Sequence, residues 1–420
     1  MITVGLDFGT HQTKVCIEKK ESVEPTYTFM KFKDADKRVY YTLPSIVGVG
    51  EDKLLSYGYL PRNFKGEVVR YFKQNVFQTV RSGMSQASAM YFSTWYLAYI
   101  LFDLEEMYGQ EFTIQMGAPS DSGHVSYVKQ IATRIIASAY RLVEEVFSND
   151  KQKFLSTSLD SLAKMTKLVP YSREVKDEYG LLVFPEAYAC LKPLVSQGKL
   201  AYGMSLMIDI GGGTTDISFF TIKDNMPAVY DFYSINKGLN YLACVDDNSQ
   251  EGTMSHIKDD SVIDPERKSI FISEVQKVCK TLRGKLKNEF KKQTELKHQR
   301  LWDALENRPL VYCGGGSTFP VLCVRYDGFR DKKIVSNKEW NTKAVLDMEE
   351  IITKGLCPIL STAYGLAIST ESDNIPIKPF RDVFESIRGY KEEKAHTSQR
   401  PILGSVYGGF SYMDDYDAWK

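Results

Sequence analysis

Two copies of one local pattern, roughly two hundred residues apart, constrain the fold of this chain more than any other feature. In each copy an apolar run ends in aspartate, a turn with glycine and threonine follows, and a second apolar run begins. The first copy spans residues 4–18 and the second spans residues 206–220. Because short apolar runs bounded by glycine are typical of buried strands, each copy predicts a β-hairpin. We therefore expect two lobes that face each other.

The glycines in the two turns indicate what the hairpins could bind. Glycine lets backbone N–H groups approach an anion closely, because no Cβ atom stands in the way. The second turn carries three consecutive glycines, Gly211, Gly212 and Gly213, between Asp209 and Thr214. One such loop alone is only a candidate phosphate site. Two loops that face each other would hold one nucleotide between the lobes.

Length and composition exclude several classes of protein. A chain of 420 residues is too long for one core and predicts two to four domains or subdomains. The net charge of zero creates no global field that would favour nucleic acid or an anionic membrane. Seven cysteines without a Cys-x-x-Cys pair indicate free thiols in a reducing compartment. The longest apolar stretch, 90–102, is too short to span a bilayer, and no signal peptide is visible, so we expect a soluble cytoplasmic protein.

The rest of the chain predicts alternating helices and strands. Helices are predicted at 85–108, 123–146, 185–195 and 358–369, one or two helices at 265 to about 306, and strands at 112–119 and 181–184. A third strand with a glycine turn is predicted at 309–320. Residues 148–178 are polar and are interpreted as an inserted surface element. Residues 371–420 lose hydrophobic periodicity and are interpreted as a flexible or partner-docked tail.

Three glycine turns in this order, with Pro185-Glu186 between the first two, resemble the actin-like ATPase superfamily. Within it, the nucleotide-binding domain of DnaK-type chaperones, the heat shock protein 70 family, is the most similar. The resemblance covers roughly residues 1–370. It implies an α/β fold of two ribonuclease-H-like lobes with a nucleotide cleft between them. The implied division is lobe I at 1–201 with a small subdomain at about 36–111 and the polar insertion at about 148–178, lobe II at 202–358 with a helical subdomain at about 238–307, a helix at 359–370 that returns to lobe I, and the tail at 371–420.

The resemblance also implies ATP or ADP with Mg²⁺ as cofactors and assigns roles to the two hairpin turns. In the first turn, Asp7 would hold the hydration shell of Mg²⁺. The phosphates would be contacted through the backbone of Gly9, Thr10 and His11. In the second turn, Asp209 would bind Mg²⁺ through water or orient the attacking water. The outer phosphates would be held by Gly211, Gly212, Gly213 and the hydroxyl of Thr214.

Further roles are implied outside the two hairpins. Glu186 would polarise the attacking water or the Mg²⁺ shell, and Gly365 would mark the close crossing of two inner helices. Arg62 would be the catalytic basic residue of the small subdomain. Phe319 stands close to the place of an arginine that stacks on adenine, and it could stack instead. The adenosine loop would consist of Gly314, Gly315, Gly316 and Ser317.

The residues support this chemistry independently of the resemblance. Phosphoryl transfer to water needs positioning, magnesium and charge stabilisation, and little covalent help. Asp7, Glu186 and Asp209 provide three carboxylates at the ends of predicted strands or at the start of a helix. Oxygen ligands of this kind are those that a hydrated Mg²⁺ prefers.

Three functions remain open from the sequence. The first is a chaperone-like ATPase that lacks a substrate-binding domain and acts as a nucleotide switch on another protein. The second is a filament-forming bacterial actin, which would self-associate. The third is a carbohydrate or metabolite kinase, although no convincing catalytic aspartate for a sugar hydroxyl is found in the first lobe. None of them favours a nucleic acid or a membrane as the partner.

Overall fold

Two large β-sheets, one in each half of the chain, form the framework of the protein. The computed structural model describes residues 1–21, 24–77, 84–120, 125–169, 174–200, 204–223, 226–243, 262–293, 310–325, 334–336, 340, 344–370, 372 and 375. The strands are β1 (Ile2–Phe8), β2 (Gln12–Lys19), β3 (Thr26–Phe29), β4 (Phe32–Lys33), β5 (Val39–Tyr40), β6 (Leu43–Pro44), β7 (Val47–Gly50), β8 (Leu55–Tyr57), β9 (Gly66–Val69), β10 (Phe112–Ala118), β11 (Leu181–Pro185), β12 (Ser205–Ile210), β13 (Thr215–Lys223), β14 (Met226–Ile235), β15 (Leu310–Cys313) and β16 (Ile334–Ser336).

Helices surround these sheets and connect them. They are α1 (Phe72–Phe77), α2 (Gln86–Tyr108), α3 (Val125–Arg141), α4 (Lys151–Leu155), α5 (Leu159–Lys167), α6 (Glu174–Glu178), α7 (Glu186–Ser196), α8 (Leu239–Leu242), α9 (Pro265–Gln293), α10 (Met348–Thr353) and α11 (Cys357–Ala367). A π-helical turn, Leu142–Val146, follows α3, and a 3-10 turn, Gly315–Thr318, follows β15.

The two large sheets have the same topology. The first has the order β3-β2-β1-β10-β11, with the short strand β6 paired to β2, and the second has the order β14-β13-β12-β15-β16. In each sheet the first three strands in the chain are antiparallel, and the last two join in parallel. The duplication predicted from the hairpins therefore extends to five strands. We call the part built on the first sheet lobe I and the part built on the second lobe II.

The helices α7 and α11 exchange sides between the lobes. Helix α7 follows the last strand of lobe I, yet its buried side chains pack against strands of lobe II. Helix α11 follows lobe II but lies on β1, where a Cβ on Gly5 would be 2.3 Å from the carbonyl oxygen of Ala363. The two helices cross at Gly365, where a Cβ would be 1.9 Å from the carbonyl oxygen of Ala189. The expected close crossing at Gly365 is thus present.

Most predicted elements are confirmed within a few residues. The long aromatic helix is α2, and its N-cap Ser85 accepts a hydrogen bond from the backbone N–H of Ser88. The predicted helix at 123–146 is α-helical to Arg141 and continues as the π-helical turn. The predicted helix at 265–306 is described to Gln293. Residues 294–306 and nearly all of the predicted tail lie outside the described residues.

Of the polar stretch at 148–178, the described residues 148–169 belong to the folded body of lobe I. Its short helices α4 and α5 contain Phe154 and Leu162, both fully buried in the core of lobe I. Phe154 stacks on Tyr57 of the small sheet β8-β7-β9, with 5.5 Å between ring centroids. Trp95 of α2 donates a hydrogen bond of 2.8 Å to Thr166. The interpretation as an inserted surface element underestimated these few apolar residues, which anchor an otherwise polar segment.

In the part of the chain that the structure describes, no helix has both the length and the apolar character that a membrane crossing would need.

Candidate functional site

The turns of the two hairpins face each other across a narrow space, which we call the cleft. A Cβ on Gly213 would lie only 2.7 Å from Nε2 of His11 and 3.4 Å from Cγ2 of Thr10. The first turn therefore touches the second. One cavity is lined by the predicted phosphate-binding residues of both lobes. They are Gly9, Thr10 and His11 of lobe I and Gly211 to Thr214 of lobe II.

Charged residues occupy equivalent positions in the two hairpins. Asp7 of β1 is the register partner of Lys14 of β2, and Asp209 of β12 is the register partner of Asp216 of β13. In lobe I the pair is an ion pair, with 2.9 Å between Nζ of Lys14 and Oδ2 of Asp7. In lobe II two carboxyl groups lie side by side. Lys14 and Asp216 were not predicted as site residues, although the hairpin pattern places them opposite the two predicted aspartates.

The carboxyl groups of lobe II are held in an environment that favours their protonated forms. Loss of hydration raises the pKa of Asp209 to about 8, and the nearby carboxylates of Asp216, Glu186 and Asp7 add to the shift. Loss of hydration also raises the pKa of Asp216 to about 7, and the charge of Glu186 adds to it. A cation bound beside these groups would relieve the repulsion between them.

A buried lysine of helix α1 completes the lining of the cleft. Nζ of Lys73 in α1 donates a hydrogen bond of 2.5 Å to Oε1 of Glu186, the first residue of α7. Only 5% of Lys73 is exposed. Its neighbour Phe72 stacks on Phe8 at the end of β1, with 6.0 Å between ring centroids, and this contact holds α1 beside the first turn.

The predicted basic residue, Arg62, lies elsewhere. Its side chain is 80% exposed and forms an ion pair of 2.9 Å with Asp36, and it does not line the cleft. The assignment failed because it relied on a weak local match. The lysine that enters the cleft is placed there by aromatic packing around Phe72, and the only sequence signal is a lysine among apolar residues of a short helix.

The third glycine turn reaches the cleft beside Asp209. Gly314 has a φ of 72°, and a Cβ there would be 2.3 Å from Oδ1 of Asp209, so the position requires glycine. Gly314 and Gly315 line the cleft, whereas Gly316 packs on Ile210.

Two residues predicted for the adenosine loop are turned away from the cleft. Ser317 is fully buried, and its hydroxyl donates a hydrogen bond of 2.8 Å to the carbonyl oxygen of Gly314. Phe319 is 4% exposed and packs in the core of lobe II. The expectation that Phe319 could stack on a base is therefore wrong for this arrangement, since the apolar ring is used for packing.

The cleft is small in this arrangement. The cavity between the two turns has a volume of about 100 Å³. Besides the turns, it is lined by the charged residues Asp7, Lys14, Lys73, Glu186, Asp209 and Asp216. A second cavity of about 250 Å³ adjoins it and shares Thr10, Lys73, Glu186, Thr214 and Asp216. Pockets that bury an organic ligand usually measure about 300–1,000 Å³. Neither cavity alone reaches that range, so a nucleotide would have to occupy both cavities or the lobes would have to separate.

The carboxylates of the cleft are candidate metal ligands. Among the residues that the structure describes, no three His, Cys, Asp or Glu side chains are close enough to hold a metal ion together. Oδ1 of Asp216 is nevertheless buried without a hydrogen-bond partner. These observations fit a hydrated cation held through water and do not fit a dehydrated ion enclosed by protein oxygens.

Comparisons with known proteins find similarity to solved structures and none in sequence. No protein-family model matches this sequence, and no curated protein matches it either. Solved structures do match, among them a non-polymerising mutant of MamK bound to AMPPNP. That match has 14% sequence identity and a TM-score of 0.42, and it covers 88% of this chain and 99% of the other.

Proposed function

We propose that this protein binds ATP with Mg²⁺ between its two lobes and hydrolyses it, as a nucleotide switch. The observation that carries the proposal is the contact between two equivalent hairpin turns, each with an aspartate at the same place in its hairpin. Backbone N–H groups of two glycine-containing turns, one from each lobe, would surround a polyphosphate. ATP is named because the three glycine turns resemble those of actin-like ATPases.

The basic residues of the cleft supply positive charge near the phosphates. Lys14 comes from β2 and Lys73 from α1, and each is paired with a carboxylate that orients it. Positive groups fixed in this way stabilise the charge that spreads over the transferred phosphoryl group.

The carboxylates divide into two roles. Asp7, Asp209 and Asp216 would hold the water shell of Mg²⁺, which when bound neutralises charge on the phosphates. Glu186 would orient the attacking water, because it begins α7 at the edge of the cleft and is fixed by Lys73. The partner of such a switch would be another protein or a second copy of this chain.

A pair of lysine and arginine variants tests the site. We expect Lys73→Ala to lower the rate of ATP hydrolysis about a hundredfold, because removal of one preorganised electrostatic contact typically has this effect. Arg62→Ala is the matched control, because Arg62 is exposed and outside the cleft, and it should leave the rate unchanged. Phosphate release at saturating ATP and Mg²⁺ is the measurement.

The opposite pattern, with loss in Arg62→Ala and none in Lys73→Ala, would restore Arg62 as the catalytic residue. A wild-type protein that binds no ATP at millimolar concentration would refute the proposed function. Sedimentation of the same samples separates a switch that assembles with its own copies from one that stays monomeric. A rate of turnover that rises with one added sugar would instead support the kinase.

A further inference from the structure

His11 lies where three parts of the molecule meet. It belongs to the first turn, and its carbonyl oxygen accepts a hydrogen bond of 2.9 Å from the backbone N–H of Ser45 in lobe I. Its ring faces Gly213 of the second turn. The ring of Tyr71, two residues before Lys73, meets it edge to face with 5.3 Å between centroids. One side chain thus contacts both turns and the segment that carries the cleft lysine.

The contact of His11 with lobe II is specific. Nδ2 of Asn240 donates a hydrogen bond of 3.0 Å to Nδ1 of the His11 ring. Asn240 is itself fixed to the second turn, since its backbone N–H donates a hydrogen bond of 2.9 Å to the carbonyl oxygen of Gly212. The backbone N–H of Leu239 likewise donates a hydrogen bond of 3.0 Å to the carbonyl oxygen of Gly211. A hydrogen bond between His11 and Asn240 is therefore a bond between the two turns.

Gly213 provides the space for this contact. Any side chain there would collide with the His11 ring, because a Cβ would be 2.7 Å from Nε2. Glycine at position 213 therefore leaves room for the imidazole ring of His11, in addition to any anion that the turn binds.

Opening of the cleft must break these contacts. Phosphates held between the two turns would occupy the cavity of about 100 Å³ that these contacts border, so a nucleotide bound there leaves only when the turns move apart. We propose that His11 is a positioning residue that latches the two turns together through Asn240 and so slows the exchange of nucleotide. The nucleotide part of this inference rests on the proposed function, whereas the latch between the lobes does not.

A double-mutant cycle tests the latch in the full chain. The variants are His11→Ala, Asn240→Ala, the double variant, and His11→Asn, whose Oδ1 can replace Nδ1 as the acceptor. With a fluorescent ATP analogue, we expect release to become about tenfold faster in either alanine variant and no faster in the double variant, as for residues that share one interaction. His11→Asn should restore slow release.

Hydrogen exchange without nucleotide provides the independent measurement. We expect faster exchange in the peptides that contain residues 209–216 and 239–243 in both alanine variants, with unchanged thermal unfolding. Additive effects of the two alanine changes, or unchanged exchange in those peptides, would overturn the latch. If the wild type binds no ATP analogue, the proposed function fails, and the exchange experiment still decides the latch. If His11→Ala does not fold, Asn240→Ala and His11→Asn give the same decision.

Discussion

At the scale of single residues, the chemistry of the cleft depends on pairs that lie far apart in the sequence. Lys73 and Glu186 form an ion pair although 113 positions separate them in the sequence. Asp7 and Asp209 were identifiable from their local patterns, because each follows a strand and precedes a glycine turn. Lys73 was not identifiable in this way, since its one local signal, the apolar residues around it, is too weak to separate it from Arg62 or from other basic residues of the same segment.

Glu105 allows a prediction on pH and stability. It is 8% exposed, neither oxygen has a hydrogen-bond partner among the described residues, and burial, with repulsion from Glu144, raises its pKa to about 7. The folded state therefore keeps a proton that the unfolded state releases near its ordinary pKa of 4.5. Stability should fall as pH rises from that value to about 7.

We expect Glu105→Gln to remove the contribution of Glu105 to this dependence, whereas Asp209 and Asp216, whose pKa values are also raised, keep theirs. The variant should be more stable than the wild type at pH 8 by about 1–2 kcal/mol, after allowance for solvent screening. Urea unfolding at pH 5 and pH 8 measures the difference. Glu106→Gln changes the exposed neighbour and should behave as the wild type does. Equal pH dependence in Glu105→Gln and in the wild type would contradict the prediction.

At the scale of secondary-structure elements, the crossing of α7 and α11 determines how the lobes are joined. Each helix packs on the sheet of the opposite lobe. Any movement of one lobe relative to the other must therefore change the contact between α7 and α11. The sequence predicts the first helix from its Pro-Glu start and the second from its small residues around Gly365, and the observed bounds differ by one or two residues. It does not show which sheet each helix covers, because both faces of these helices are apolar.

Two glycine-to-alanine changes test the crossing. Gly365→Ala should destabilise the protein by about 1–3 kcal/mol, as overpacking does, because the new Cβ would meet the Ala189 carbonyl at 1.9 Å. In Gly284→Ala the Cβ meets nothing within 4 Å in the middle of α9. That variant should gain about 0.5–1 kcal/mol from helix propensity. Urea unfolding measures both, and a neutral Gly365→Ala would show that the helices can separate without cost.

At the scale of the whole molecule, duplication explains why the site lies between the lobes. Two sheets of the same topology each present one turn after the first strand, and the exchanged helices bring these turns into contact. Neither lobe alone contains the complete set of charged groups, because Lys14, Lys73 and Glu186 come from lobe I whereas Asp209 and Asp216 come from lobe II.

A ligand that bridges the lobes should therefore stabilise the whole molecule. We expect Mg²⁺ with ATP at one hundred times its dissociation constant to add about 2.7 kcal/mol to the free energy of unfolding. Asp209→Ala should lose most of this gain and fold as well as the wild type without ligand, because its carboxyl group is poorly hydrated in the fold. Thermal unfolding with and without ligand is the measurement, with Glu106→Gln as the control. A full gain in Asp209→Ala would remove Asp209 from the site.

Local periodicity and backbone sterics make three features predictable from the amino-acid sequence: the two hairpins, the turns that need glycine, and the acidic residues that follow the strands. Three further features follow from packing in the folded protein: Lys73 and not Arg62 enters the cleft, Phe319 packs inward, and His11 reaches Asn240. These outcomes depend on which surfaces pack together over long sequence separations. A pattern read along one segment holds no information about the segment that will face it.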